Sequence, residues 1–424
     1  MKSRISRRLF LAGAGALGLG AAAAAWRHWP EQGLLNPCLA ALPPELAGHE
    51  LVRAAWDGLD PAQCWDAHAH LVGIGDSGSG IVINPKMESL LNPVQYAQRL
   101  FFLNAGCAHD APGRVDQSYI ERMHNLIEGM RPGFKLLLLA FDCNVTEAGK
   151  ISWERSGFYV PNGYAAQTAR KHPQYFEWIA SIHPYRRDAL EQLEQAVRDG
   201  ARAVKWLPAA MGIDPMSPRC DRFYEALSRH GLPLITHAGL ERAVGGGDAQ
   251  ELGNPLRLRR ALEHGVRVVA AHCASMGEDR DLDKGPNGPP ENSFDLFARL
   301  MGERQWDGRL FGDISAMTQL NRAGPALARV IELTDWHPRL LNGSDYPLPG
   351  IMPLYSVGYM REQGFIEPAA VPVLRAIRGH NPLLFDFVMK RSLRWRGRRL
   401  SDSIFETRAF FDRERKANAN RPVN

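Results

Sequence analysis

Histidines collect at the carboxyl ends of the predicted strands. Five of the 14 histidines take such positions, and Asp345 follows the last predicted strand within Asn-Gly-Ser-Asp-Tyr-Pro. His68 and His70 are separated by one alanine, so in a strand both imidazoles point to the same side. Imidazoles and a carboxylate that leave one coordination position open are the composition of a catalytic zinc-type site. The five histidines are His68, His70, His183, His237 and His272.

The intervals between these residues match a repeated strand–helix unit. Lys205, in the fourth predicted strand, precedes His237 by 32 residues, and His237 precedes His272 by 35. A βαβ unit needs about 30 residues or more, so each interval is one step to the next strand. Asp345 follows His272 by 73 residues, or two steps. The spacing predicts that these side chains meet although they are distant in sequence.

Eight short apolar runs alternate with amphipathic stretches from residue 64 onward. Eight strand–helix units favour an α/β fold of the (β/α)8 TIM-barrel type over a doubly wound sheet. In that fold the active site lies at the carboxyl ends of the strands. The predicted strands are Trp65–Leu71, Phe134–Phe141, Phe176–His183, Ala203–Leu207, Pro233–His237, Val266–His272, Arg309–Ser315 and Leu340–Ser344.

The barrel is predicted to carry additions. Residues 72–133 form a long insertion after strand 1, with two helices expected at Pro93–Cys107 and Asp116–Met130. Five further helices are expected between strands. The predicted domains are an N-terminal segment at 1–30, an extension at 31–63, the barrel at 64–390 and a basic, partly helical C-terminal extension at 391–424. The five helices are Arg187–Asp199, Arg219–His230, Pro255–His264, Ser293–Arg304 and Arg322–Asp335.

The first 30 residues have the pattern of an export signal. Ser6-Arg7-Arg8-Leu9-Phe10-Leu11 resembles the bacterial twin-arginine motif. An uncharged stretch rich in Ala, Gly and Leu follows, and Ala23-Ala24-Ala25 fits an A-x-A cleavage site. We expect periplasmic localisation through the twin-arginine export machinery. An uncleaved membrane anchor remains the alternative, because the stretch is at the lower length limit for a membrane span.

Composition excludes several classes of protein. With 45% hydrophobic and 23% charged residues, the chain is not disordered, and because it has only one long uncharged run it is not a polytopic membrane protein. Removing the four basic residues within 1–25 lowers the net charge from +5 to +1, so no nucleic-acid partner is indicated. The six cysteines contain no CxxC pair and are read as mostly free thiols, with a disulfide possible if the protein is exported.

Two sequence motifs have weaker readings. The pattern Gly13-x-Gly15-x-x-Gly18 lies in the signal, and Gly73-x-Gly75-x-x-Gly78 is not followed by a helix, so neither is expected to bind a dinucleotide. We interpret the second as a flexible loop beside the active site. Six basic residues within Lys390–Arg399 are expected to be a solvated helix face and tail, with a membrane-surface or acidic-partner contact as the alternative.

Each candidate ligand also has a structural reading. Lys205 could pair with Asp66, which strict alternation places on the same face of strand 1 as the two histidines. His183 in His-Pro-Tyr could be a satisfied loop residue, and His272 a hydrogen-bonded core histidine. Asp345 could be a turn residue. The ordered set of residues is more specific than any one of its members.

Five segments of the sequence resemble motifs of the amidohydrolase superfamily of metal-dependent TIM-barrel hydrolases, in its amidohydrolase-related branch. That branch also contains aromatic-acid decarboxylases. The resemblance covers residues 64–390. The matching segments are Trp65-Asp66-Ala67-His68-Ala69-His70, Leu234-Ile235-Thr236-His237, Val269-Ala270-Ala271-His272, Gly343-Ser344-Asp345-Tyr346-Pro347 and His380-Asn381-Pro382-Leu383-Leu384-Phe385.

The resemblance implies a divalent metal, expected to be Zn²⁺, as one or two ions. His68, His70, His237 and Asp345 would be ligands, and Lys205, if carboxylated, would bridge to a second ion. His272 would bind that second ion or contact the substrate.

The expected function is an exported hydrolase in which metal-activated water attacks an ester, lactone, amide or related small-molecule bond. Asp345 would act as the base, and His272 would help to stabilise the developing oxyanion. A non-oxidative decarboxylase of an aromatic or unsaturated acid is the alternative on the same site. A non-catalytic periplasmic metal-binding or accessory protein is the alternative of another class. No oligomeric state is predicted.

Overall fold

The structure is a computed structural model that describes residues 30–39, 41–108, 111–244 and 247–412. The twin-arginine motif and the cleavage pattern lie outside these residues. Within the described ranges, no helix combines the length and the apolar character that crossing a membrane requires.

Eight parallel strands form the centre of the fold. They lie in two sheets, with strand orders β1-β2-β3 and β4-β5-β6-β7-β8. All eight correspond to predicted strands with shorter bounds, because the predictions include loop residues at one or both ends of each strand. The strands are β1 Trp65–His70, β2 Lys135–Leu139, β3 Phe176–Ile179, β4 Val204–Trp206, β5 Leu234–His237, β6 Val268–Ala271, β7 Leu310–Asp313 and β8 Leu340–Leu341.

Parallel bridges join the two sheets at both seams. Ala180, just after β3, pairs with Val204 of β4. Ala69 of β1 pairs with Tyr346, beyond β8, and the Asp345 N–H donates to the His68 carbonyl at 2.7 Å. The strands therefore follow one another around a TIM barrel, as predicted.

The helices surround the barrel and its insertion. The five helices predicted between strands are present, although the stretch 255–264 begins as a 3-10 turn at Pro255–Leu258. The helices are α1 Pro44–Ala47, α2 Glu50–Ala54, α3 Pro93–Ala105, α4 Val115–Glu128, α5 Asn162–Lys171, α6 Ala189–Arg198, α7 Pro208–Met211, α8 Asp221–His230, α9 Arg259–Glu263, α10 Ser293–Met301, α11 Pro325–Glu332, α12 Val357–Glu362, α13 Ala370–His380, α14 Pro382–Ser392 and α15 Arg408–Phe411.

The insertion after β1 contains both expected helices, α3 and α4. Its short strand Val82–Ile83 pairs antiparallel with Phe158–Tyr159, which follows β2. A disulfide between Cys38 and Cys107 fastens the N-terminal extension to the end of α3. The other four cysteines are free and buried. The insertion is thus fixed at two points against the rest of the chain.

The C-terminal extension closes the amino end of the barrel. Side chains from the strands form an interior apolar cluster that includes Leu137, Ile235 and Val269. Phe411 of α15 belongs to the same cluster and is 1% exposed. The Thr407 hydroxyl donates to the carbonyl of Trp65 at the start of β1. The extension therefore fills the lower end of the barrel rather than forming a separate tail.

The basic run at 390–399 is only partly solvated, so the expected solvated face is wrong for its first two residues. Lys390 is buried and its ammonium donates to the Gly343 carbonyl at 2.6 Å and to Asp386 at 2.7 Å. Arg391 is buried and donates to the Ala55 carbonyl at 2.8 Å. Both side chains carry hydrogen bonds that hold α14 against the barrel. Arg396, Arg398 and Arg399 are exposed, as expected.

Candidate active site

Strand β1 carries a β-bulge that turns its two histidines into the barrel. Asp66 pairs with Leu136 of β2, and Ala69 pairs with Leu138, so three steps on β1 match two on its partner. An extra residue of this kind shifts the side-chain alternation by one. Both histidines therefore point into the interior at the carboxyl end, as expected, but the bulge places Asp66 on the opposite face, which strict alternation does not predict.

Asp66 lies on the opposite side of β1 from the histidines. Its two neighbours in sequence belong to the interior apolar cluster, so Asp66 points outward. Its carboxylate accepts hydrogen bonds from the backbone N–H groups of His68, at 3.0 Å, and Ser344, at 2.9 Å. The proposed pairing of Asp66 with Lys205 is therefore wrong, because the bulge removes Asp66 from the face that the histidines occupy.

His68, His70 and Asp345 bring three potential ligand atoms together. Asp345 Oδ1 is 3.0 Å from His70 Nε2 and 3.6 Å from His68 Nε2. Metal–ligand distances of about 2.1 Å place tetrahedral ligand atoms about 3.4 Å apart, so this trio suits one ion. Lys205 Nζ is 3.1 Å from His68 Nε2, which places the lysine at the same centre.

His237 and His272 complete the cluster. Their ring centroids are 5.2 Å apart, and the His272 ring is 5.1 Å from that of His68. His272 Nε2 is 3.9 Å from Asp345 Oδ2. His237 Nε2 is buried and has no hydrogen-bond partner among the described residues. Burying an unpaired polar atom is costly, and a metal ion would satisfy it.

Three of the histidines have a fixed tautomer. In each, Nδ1 faces an oxygen that can only accept, so Nδ1 carries the proton and Nε2 keeps its lone pair. The Nε2 atoms of His68 and His272 lie 3.6 and 3.9 Å from the Asp345 carboxylate, which is the arrangement that metal ligation needs. The pairs are His68 with Asp313 at 3.0 Å, His237 with Glu241 at 3.2 Å and His272 with the Ser315 carbonyl at 3.0 Å.

Sequence reasoning missed Asp313, Glu241 and Arg322. Asp313 ends β7, and an acid at the end of a predicted strand was a signal that could have found it. Its carboxylate also accepts from the His272 N–H at 2.9 Å. Glu241 follows His237 by four residues, but no pattern singles it out. Arg322 has no sequence signal, since it lies in the turn before α11.

Burial and local charge set the protonation of the cluster. Burial lowers the pKa of His237 to about 4 and that of His272 well below its usual value. Burial also lowers the pKa of Lys205 to about 8. For Asp345, burial alone raises the pKa, but the neighbouring histidines, with His68 foremost, hold it well below the ordinary range. At neutral pH, His237 and His272 are therefore neutral imidazoles and Asp345 is an anionic carboxylate, the forms that bind metals.

The backbone is strained where the site is assembled. His272 and Asp345 have φ values of 56° and 58°, a region that residues with a Cβ adopt at a cost. Gly343 precedes Asp345 by two residues, and a Cβ there would lie 2.6 Å from that of His68. The glycine thus allows the end of β8 to approach β1 closely enough for Asp345 to reach the histidines.

The cluster forms the floor of a cavity of about 320 Å³ at the carboxyl end of the barrel. The walls are mainly apolar, and the insertion supplies several of them. Cavities of this kind bind small molecules through apolar contacts and a few polar groups. Wall residues include Met87, Phe101, Phe102, Phe158, Met276 and Leu354.

The glycine-rich stretch 73–78 lies beside the site, as expected, but it is not free. The Asp116 carboxylate, on α4, accepts from the N–H groups of Ile74, at 2.7 Å, and Gly75, at 3.1 Å. Asp76 in turn accepts from the Val115 N–H at the start of α4, at 2.8 Å. The interpretation as a flexible loop is therefore wrong, because reciprocal hydrogen bonds hold the loop on the helix.

His183 does not join the cluster. Its Nε2 hydrogen-bonds to the Met211 carbonyl at 2.9 Å, and its Nδ1 accepts from the Tyr185 N–H at 3.1 Å. It does not line the cavity. His183 is the satisfied loop residue that the sequence left open as one of two readings.

A family model described as amidohydrolase matches residues 132–385. This segment is more than half of the chain, and it holds His237, His272 and Asp345. The chain belongs to the amidohydrolase family and is an enzyme of that superfamily. Among curated proteins, none matches this chain.

Solved structures with a similar fold include three from bacteria. A TIM-barrel protein from Bordetella bronchiseptica is 17% identical, with a TM-score of 0.44, and the match covers 73% of this chain and 94% of that one. A proposed 2-pyrone-4,6-dicarboxylic acid hydrolase from Pseudomonas putida is 17% identical, with a TM-score of 0.40 and coverage of 76% and 97%. A 5-carboxyvanillate decarboxylase from Sphingomonas paucimobilis is 13% identical, with a TM-score of 0.40 and coverage of 74% and 97%.

Proposed function

We propose that the protein is an exported metal-dependent hydrolase that acts on an ester, lactone, amide or related bond of a small molecule. One observation carries the proposal. The imidazoles of His68, His70, His237 and His272 and the Asp345 carboxylate line the floor of an open cavity, and His237 Nε2 has no hydrogen-bond partner among the described residues. This donor set fits a catalytic divalent metal.

His68, His70, His237 and Asp345 would hold the first ion, which we propose to be Zn²⁺. When bound, such an ion supplies Lewis acidity and lowers the pKa of a water molecule towards ~7. Lys205 is the candidate bridge to a second ion. A lysine must lose its proton to be carboxylated, and its buried amine, with a pKa near 8, does so more readily than an exposed one.

The chain's own residues divide the remaining work. Asp345 is anionic at neutral pH and is the group placed to accept a proton from the nucleophile and return it to the leaving group. His272 donates through Nδ1 to the Ser315 carbonyl, so its Nε2 cannot also donate to an oxyanion while the ring is neutral. We therefore assign His272 to the second ion or to proton transfer, in preference to oxyanion stabilisation.

Metal analysis of the purified protein tests the proposal first. We expect one or two equivalents in the wild type, and about one fewer in K205A if Lys205 bridges two ions. A screen of esters, lactones, amides and aromatic acids then identifies the reaction. A wild-type protein without metal would overturn the metal-hydrolase proposal, and equal metal content in K205A would remove only the bridging role.

A decarboxylase of an aromatic or unsaturated acid is the second candidate. The observation that favours it is the apolar cavity with one buried arginine, Arg322, in its wall. Release of CO₂ from an aromatic acid in the same screen, without hydrolysis of any ester, lactone or amide, would select this candidate. A non-catalytic metal-binding protein is disfavoured, because a structural metal site is closed whereas this cluster opens into a cavity.

Export is proposed from the twin-arginine motif and supported by the Cys38–Cys107 disulfide. Disulfides persist in oxidising compartments such as the bacterial periplasm. The test is to replace Arg7 and Arg8 with lysine and fractionate the cells. We expect the protein to accumulate in the cytoplasm with both thiols reduced. Undiminished periplasmic or membrane-bound protein would show that the twin-arginine route is not used.

A further inference from the structure

Arg322 is a buried cation in the wall of the cavity. It lies in the turn between β7 and α11, and 8% of its surface is exposed. Its Nη1 donates to the neutral Ser275 hydroxyl at 3.2 Å. Its Nε is buried and has no hydrogen-bond partner within the described part of the chain. No described carboxylate lies within ion-pair distance of it. A guanidinium stays charged even when buried, so this charge is left without a contact partner.

The acids around Arg322 are already engaged. Glu241 Oε2 lies 3.2 Å from His237 Nδ1, and Glu241 accepts from the N–H of Ala243 at 2.6 Å. Asp345 contacts His70, and Asp313 accepts a hydrogen bond from His68. These carboxylates stabilise the arginine through space but do not pair with it. Because no described carboxylate neutralises Arg322 directly, that role falls to an anion that enters the cavity.

Arg378 shows how this chain buries an arginine for a structural purpose. It is 1% exposed, and its guanidinium donates to four backbone carbonyls. Each of its three nitrogens is satisfied, as expected for a buried polar group that is part of the fold. Arg322 lacks such a complete set of hydrogen-bond acceptors although it is nearly as buried. The four acceptors of Arg378 are Pro349, Ile351, Met352 and Tyr355.

We propose that Arg322 binds the carboxylate of an organic acid whose apolar body fills the rest of the cavity. A guanidinium recognises a carboxylate through two parallel N–H bonds, and the apolar walls would exclude water from that contact. The substrate class is therefore a carboxylic acid with a single anionic group and an aromatic or long aliphatic body. This inference rests on the proposed function, because it places the substrate in the same cavity as the metal cluster.

The arginine also orients such a ligand relative to the cluster. Arg322, His237 and His272 line the same cavity. A carboxylate held by Arg322 would therefore lie next to the metal-binding face of the cavity. The bond that reacts is then expected close to the carboxyl group, with the apolar body directed towards the insertion.

Calorimetric titration of the protein, with the metal it is isolated with, tests this inference. The probes are 3-phenylpropanoate and the uncharged amide of the same shape, 3-phenylpropanamide. We expect the wild type to bind the acid at least about tenfold more tightly than the amide, since hydrogen bonds between charged groups are roughly twice as strong as neutral ones. R322Q should lose most of this preference while keeping its metal, and R322K should be intermediate. R242Q, which removes an exposed arginine at the cavity mouth, is the control and should keep the preference within about twofold.

The outcomes separate the two proposals. If R322Q keeps its metal and still prefers the acid, the metal alone binds the carboxylate, and the role of Arg322 is overturned while the metal-hydrolase function stands. If the wild type contains no metal but its preference for the acid disappears in R322Q, the role of Arg322 stands and the metal-hydrolase function is overturned. Failure of the wild type to bind the acid more tightly than the amide also overturns the inference. If R322Q does not fold, R322K decides, because an undiminished preference there would show that the guanidinium fork is not used.

Discussion

The two ends of the barrel are built in opposite ways. At the amino end, apolar strand residues pack against Phe411 of the C-terminal extension, and the interior is closed. At the carboxyl end, imidazoles, carboxylates and Lys205 crowd together beneath an open cavity, at backbone positions that include strained residues. The amino end gains stability from burial, whereas the carboxyl end loses some stability because it holds reactive groups close together. Substitutions at the two ends should therefore separate activity from stability.

The largest expected effect is the loss of turnover in D345N. Asparagine keeps the shape of the side chain and a neutral oxygen ligand, but it cannot take a proton. We expect turnover to fall by about 10² to 10⁴-fold, the usual value of general-base catalysis, with an undiminished melting temperature. Rates on a substrate from the screen, metal content and thermal melting are the measurements. H237A is the comparison variant, since it should lose metal first. Near-wild-type turnover in D345N would leave His272 as the better candidate for the base.

At the amino end of the barrel, F411A is expected to lose stability but not turnover. Truncating a buried phenylalanine costs about 3 to 5 kcal/mol, so the free energy of unfolding should fall by that amount. The site lies at the other end of the barrel, and turnover per folded molecule should be unchanged at low temperature. Urea unfolding and active-site titration check the two halves of this prediction. A large loss of turnover in the folded variant would mean that the two ends are not independent.

Removing the Cys38–Cys107 disulfide tests how much stability it gives to the insertion that lines the cavity. Cys38 and Cys107 are 69 residues apart, and closing a loop of that length is worth about 4 kcal/mol in the chain-entropy model, with about 2 to 4 kcal/mol typical in practice. We expect C38S/C107S to lose stability in that range. Unfolding curves with and without reductant provide the measurement. Reductant should lower the stability of the wild type alone, and an equal effect on the double variant would assign the change to another cause.

The smallest effect concerns the residues that orient the ligands. Asp313 fixes the His68 tautomer, and groups of this kind typically contribute 10 to 100-fold to metal affinity. D313N should weaken metal binding by about that factor, measured by competition with a chelator. D279N is the matched control, because Asp279 is buried and bonds to Ser293 away from the cluster. Equal losses in both variants would indicate a general effect of removing a buried carboxylate.

Some features of the site were predictable because they follow from chain periodicity. The intervals between Lys205, His237 and His272 are single strand–helix units, and consecutive parallel strands lie side by side. Their convergence therefore needed no knowledge of side-chain packing. The helix start at Asn381-Pro382 also has a local cause, since the Asn381 side chain accepts a hydrogen bond from the Leu384 N–H at 2.9 Å.

Other features were predicted wrongly because they depend on interactions between elements. Alternation placed Asp66 beside the histidines, but register against β2 inserts a bulge and turns it away. Composition made Lys390 look solvated, but a carbonyl at the end of β8 and Asp386 supply it with buried acceptors. The glycine-rich loop appeared flexible until α4 supplied Asp116. In each case the deciding partner is remote in sequence.

The sequence by itself determined the barrel and part of the residue set at its carboxyl end, because both follow from local apolar patterning and a repeat of fixed length. That part consists of His68, His70, Lys205, His237, His272 and Asp345. Only the tertiary structure decided how those residues are tuned. The tautomers of the histidines depend on acceptors that arrive from neighbouring strands and loops, and the unpaired charge of Arg322 depends on which acids are already engaged. Hydrogen bonding and burial act over a few ångströms, so they become defined only when the chain has folded.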